Sequence, residues 1–152
     1  MSNASNYLEN ELLDHVLGEG SRDYTPATLY IALFADTGSG VATALESGTS
    51  DTASTANWGY YEIDNGNYSR VAVNFDTAAS GSAANTGNVT FNQATANYDT
   101  AGGAGNVVTH VAIMDNNTAG NVLFYGALSV SKTVTTGDTF QINAGALTVS
   151  LA

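Results

Sequence analysis

Cysteine is absent from the chain, proline occurs once, and only three of its 152 residues are lysine or arginine. Each absence closes a class of function. Without cysteine there is no disulfide framework, no thiolate metal site and no thiol nucleophile. Three bases against 14 acids give a formal charge of −11, which disfavours nucleic acid and anionic membrane surfaces as partners. Only 11 % of residues are charged and two are histidine, so the groups that acid–base chemistry needs are scarce. The longest apolar stretch, Leu29 to Ala35, is far short of the ~20 residues that span a bilayer. No basic segment followed by an apolar one opens the chain, so no secretory signal is expected.

What is present is Ala, Thr, Asn, Gly and Ser, interleaved with short apolar alternations. A hydrophobic fraction of 43 % fits a globular chain rather than a disordered one. A chain of 152 residues is expected to fold as one domain, 1–152, burying roughly two thirds of its unfolded surface. The composition suits a β-rich scaffold that binds or assembles.

The spacing predicts one helix, over residues 6–17. Asn6 is the expected N-cap, with Glu9 three residues on as a capping-box partner and Gly18 as the stop. Leu8, Leu12, Leu13, Val16 and Leu17 form one apolar stripe. A helix this short must dock on its own sheet or on a neighbouring subunit. Residues 18–25 read as a polar loop, after which the period changes to two. Leu29–Phe34 is an expected buried strand, and residues 36–57 are an expected long polar loop.

Residues 60–63 and 68–73 flank Asp64-Asn65-Gly66-Asn67, a strong signal for a tight hairpin. Further strands are expected at 89–91, 107–114, 122–128, 130–134, 139–142 and 147–151, with turn residues between them. Such spacing indicates an all-β fold, a sandwich of jelly-roll-like kind with the one N-terminal helix.

Few constellations carry chemistry. His15 and His110 stand in different elements, and no Gly-x-Ser-x-Gly elbow accompanies them. Asp115-Asn116-Asn117 and Asp64–Asn67 hold oxygen ligands, but neither follows a calcium-loop spacing, and such runs build tight turns. Gly18-Glu19-Gly20 and Ala101-Gly102-Gly103-Ala104-Gly105 lack the Lys-Ser/Thr of a phosphate loop. Lys132, the only lysine, is expected at solvent or in an inter-subunit ion pair. Glu62 with Asp64 is the nearest acidic pair, and a strand-end turn accounts for it. No catalytic residue, metal ligand or cofactor is therefore assigned.

Trp58, Tyr60 and Tyr61 cluster beside the polar stretch. Exposed, they would suit a saccharide or protein contact; paired across strands, they would be ordinary packing. With Leu8, Leu12, Leu13 and Val16 they are the candidate interaction residues.

The order of segments resembles a family of tailed-phage virion proteins described as tail-fibre-like or capsid cement proteins. The stretches that carry the resemblance are 6–17, Leu29–Phe34, Tyr68–Val73, Thr109–Asp115 and Leu123–Leu128 with its continuation through Thr133. The resemblance implies a non-enzymatic virion component, a homotrimer on the particle exterior, made in the host cytoplasm. Its first implied role is to cement the head by bridging copies of the major capsid protein. The alternative is a tail-fibre or receptor-binding module that contacts the host surface.

Overall fold

The computed structural model describes residues 3–17, 28–36, 38, 40–47, 56–103 and 105–150. The polar loop expected at 18–25, and the middle of the stretch expected at 36–57, lie outside the described residues.

The continuous apolar run at Leu29 becomes the centre of the fold because both faces of its strand find cover. Strand β2 (Leu29–Ala35) is flanked by β6 (Val107–Met114) on one edge and β3 (Val71–Val73) on the other. Beyond β6 lie the long β7 (Val122–Thr133) and the short β1 (Asn3–Ala4), giving an antiparallel sheet in the order β1-β7-β6-β2-β3. The side-chain alternation of β2 then splits the core in two. Ile31, Leu33 and Ala35 enter one apolar cluster, while Ala32 and Phe34 enter the other.

The first cluster lies beneath two small antiparallel ladders. One pairs β4 (Ser82–Ala84) with β9 (Thr148–Ser150), the other β5 (Val89–Thr90) with β8 (Gln141–Ile142). Phe91, Tyr98, Phe140 and Leu147 come from this layer to meet Val111, Ile113 and Leu123 of the main sheet. The fold is mainly β, as the composition and spacing indicate.

Two helices are described where the sequence marks one. Helix α1 (Asn6–Leu17) has the expected bounds, but its cap is Ser5 rather than Asn6. The Ser5 hydroxyl accepts the Leu8 N–H at 3.3 Å and itself donates to the Val122 carbonyl, so the cap also pins the helix to β7. Helix α2 (Val41–Ser47) breaks the polar loop expected at 36–57. Seven residues are too few to hold a helix alone. The Asp36 carboxylate accepts the N–H groups of Gly38 (2.7 Å), Gly40 (2.9 Å) and Val41 (3.1 Å), which satisfies the amino end. Val41, Ala44 and Leu45 are buried on the second face of the sheet, where a fully buried Val or Leu contributes about 1.5–3 kcal/mol. Docking and capping together make this helix.

A tight turn forms one residue beyond the Asn65-Gly66 pair, but the hairpin around it does not. Gly66 (φ 66°) and Asn67 (φ 67°) are both left-handed, and the Tyr68 N–H donates to Asn65 at 3.1 Å, which is a type I′ turn. The flanking segments pair with β2 rather than with each other. Ala35 N–H donates to Tyr61 and Ile63 N–H to Leu33, while Ile31 opposes Val71 further along the same edge. One edge of β2 is thus covered by two pieces of chain, with residues 64–70 leaving and rejoining it. A second irregularity lies on β7. Its register against β6 jumps from Ala127 opposite His110 to Lys132 opposite Val108, so residues 128–131 bulge past Thr109.

Candidate functional surface

The excursion of residues 64–70 brings together side chains that the sequence separates. The Tyr68 hydroxyl accepts the Leu33 N–H at 3.0 Å and donates to Glu62 Oε1 at 3.0 Å. Arg70 approaches the same carboxylate bidentately, Nε to Oε1 at 2.7 Å and Nη2 to Oε2 at 2.8 Å. Its remaining nitrogen, Nη1, donates to the carbonyls of Asn116 (2.8 Å) and Ala119 (2.6 Å) in the turn between β6 and β7. The guanidinium carbon lies 5.1 Å from the centre of the Trp58 ring, within cation–π range.

The ion pair is buried, with Arg70 4 % and Glu62 13 % exposed at the side chain. Burial opposes the charge on Arg70, but the hydrogen bond and charge of Glu62 outweigh it and raise the guanidinium pKa further. Desolvation first, then the charge of Glu62, push the Tyr68 phenol well above its ordinary value. The network forms the floor of a shallow cleft of about 410 Å³ rimmed by Asp64, Ser69, Asn117 and Thr118. Its chemistry is that of a clasp. Glu62 accepts from three donors, and the Asp64 main-chain N–H donates to the Asp99 carbonyl at 3.0 Å.

The aromatic candidates divide. Trp58 is 1 % and Tyr61 5 % exposed, both in the core cluster under α2, and Trp58 meets Phe34 edge-on at 6.4 Å. That corrects their assignment as contact residues, because a partner on the surface cannot reach them. Tyr60 is half-buried against the same cluster, with its ring over Gly102 so closely that no Cβ would fit there. Packing decides all three.

The apolar stripe of α1 behaves differently. Leu8 is buried in the core, yet Leu12 is 39 %, Leu13 56 %, Val16 75 % and Leu17 71 % exposed. Only the amino end of the stripe docks on the sheet; the rest faces outward.

The remaining candidates serve local structure. His110 Nδ1 lies 3.0 Å from the Thr109 hydroxyl, in a recess that Asp36 also lines. Burial lowers the His110 pKa, and the nearby Asp36 charge opposes this without cancelling it. Asp36 itself is committed to the amino end of α2 through three N–H groups. Asp115 accepts the Asn121 N–H and amide at 2.7 and 2.8 Å, which closes the β6–β7 turn. Among the described residues no cluster of His, Asp and Glu could hold a metal ion, and no helix is long and apolar enough to cross a membrane. Sequence reasoning missed the Glu62–Arg70–Tyr68 clasp. The available signal was one of only three bases standing across an Asn-Gly turn from a glutamate.

A comparison with protein families covers residues 3–150, nearly the whole of this β architecture. It places the chain among the structural proteins of tailed-phage particles. The matching family is described as podophage GP4 fiber I protein gp80, and the chain belongs to it. A search of curated proteins finds no match.

Proposed function

We propose that this chain is a structural module of a phage tail fibre that works by contact and turns over no substrate. The observation that carries the reading is the match to a fibre family over residues 3–150. The geometry supports it: Asp36, Glu62, Arg70 and Asp115 are spent on holding turns and helix ends rigid. Stiff turns on an antiparallel sheet suit a part that transmits load and presents a fixed surface. The capsid-cement role implied by the resemblance gives way to the fibre role, which the family's description favours. Self-association into a trimer belongs to the same reading.

The test is to localise the chain on purified particles with a labelled antibody, read by electron microscopy. Label on fibres is the expected result. Label distributed over the capsid in many copies would overturn the fibre role and restore the cement role.

A further inference from the structure

We propose that the outward face of α1 is a docking site for another virion protein that presents an apolar ridge flanked by lysine or arginine. The proposal deepens the fibre reading, because it gives the chemistry of the partner on which such a module is seated. The apolar half of the argument is geometric. Leu12, Leu13, Val16 and Leu17 form a stripe more than a third exposed at every position, on a helix whose Leu8 is buried. Leu8 also lines an apolar recess of about 260 Å³ between the sheet and the β4–β9 ladder, with Leu29, Phe75, Phe124 and Val149 around it. That volume is below the usual range of a cofactor pocket and suits one or two side chains. Leu8 and Leu12 are one helical turn apart, which sets the stripe beside the recess. A ridge along the stripe with one large side chain entering the recess fits both.

Charge decides which occupant. The helix carries Glu9, Glu11 and Asp14, and the whole chain has a formal charge of −11. Among the described residues, Arg70 is committed to Glu62. Lys132 stands opposite Val108 and Tyr125, where β7 meets β1, opposite Ala112, so the two lie four β6 residues or about 13 Å apart along the sheet. A second copy placed α1 to α1 therefore sets carboxylates against carboxylates, and like charges at close range disfavour that pairing. A partner with a basic rim meets the same acids favourably. The stripe supplies affinity and the acids supply selectivity.

The test uses the purified full chain and two synthetic helical peptides, each with the same leucine stripe, one flanked by lysine and the other by glutamate. Binding is followed by fluorescence anisotropy, with a lysine peptide of scrambled stripe to measure attraction to the acidic surface at large. Expected is binding of the lysine-flanked peptide, weakened by salt, at least about tenfold tighter than either control. The uncharged variant Leu13→Asn/Val16→Asn should abolish that difference while melting as the wild type does, since both positions are exposed. Equal binding of intact and scrambled lysine peptides, or binding unaffected by the variant, overturns the docking face. Sedimentation supplies the remaining arm: self-association abolished by the same variant assigns the face to a second copy and overturns the basic partner. The fibre reading is tested separately by particle labelling, so either can fail while the other stands.

Discussion

The Tyr68 hydroxyl stands where a strand carbonyl would otherwise stand, accepting the Leu33 N–H at 3.0 Å in the gap between two pieces of edge strand. The backbone of residues 64–70 has left the β2 edge at this point, and a side chain takes over its hydrogen bond. The same hydroxyl donates a hydrogen bond to Glu62, and Glu62 holds Arg70. Three side chains, Tyr68, Glu62 and Arg70, thus join the central strand to the β6–β7 turn.

Tyr68→Phe tests that relationship. It removes the partner of the Leu33 N–H and one donor to Glu62, without changing ring volume. An orphaned buried donor costs about 1–3 kcal/mol, equivalent to roughly 3–8 °C in Tm for a chain of this size. A calorimetric Tm within a degree of the wild type would show that the hydroxyl is dispensable.

Arg70→Lys asks whether the planar fork matters. Lysine keeps the charge but cannot grip both oxygens of Glu62 while capping Asn116 and Ala119. Breaking one arm of a buried pair is expected to cost about 3 kcal/mol. The amides of residues 116–120 should also exchange with solvent faster, because their turn loses its tether. Unchanged hydrogen exchange in that turn contradicts the clasp.

Gly66→Ala probes the turn itself. Gly66 has φ 66°, and a Cβ there would lie 2.7 Å from the Ala96 carbonyl oxygen. The left-handed conformation alone costs a non-glycine residue about 1–2 kcal/mol, and the backbone contact adds to it. A drop of more than about 1 kcal/mol in urea-unfolding free energy is expected. Gly87→Ala, where a Cβ meets nothing within 4 Å, is the comparison that should change little.

His110 gives the fold a pH dependence of known sign. Burial depresses its pKa in the folded chain below the ordinary 6.5. As pH falls below about 6.5, the unfolded chain takes up a proton that the folded chain refuses, so stability declines. The contribution is complete above that pH and is lost progressively below it. Urea midpoints at pH 7.5 and 5.5 should fall further for the wild type than for His110→Gln, in which the other titrating groups are retained. An equal fall in both would remove His110 from the account.

Local pattern was enough to write much of the fold. The 3.6-residue period from Asn6 to Leu17 and the apolar run from Val107 to Met114 give elements with the bounds read from the sequence. Both are long enough for their pattern to mark them, although each is held in place by the layer it packs against. The turn at Asn65-Gly66-Asn67 was legible in place but not in register, because the left-handed pair is Gly66-Asn67 rather than Asn65-Gly66.

Partner choice was not legible, because it depends on which surfaces meet after the chain has folded. Residues 60–63 look like one arm of a hairpin, yet their hydrogen bonds go to β2, which offers a longer apolar strand to cover. Helix α2 is too short to stand alone and exists because Asp36 caps it and the sheet buries Leu45. Trp58 and Tyr61 are exposed or buried only according to what α2 covers. The chain's own composition determined that it is β-rich, acidic and poor in reactive groups. Tertiary structure alone decided that Trp58 and Tyr61 are core and that the helix stripe beyond Leu8 is surface, because burial is a property of the assembled layers rather than of any segment.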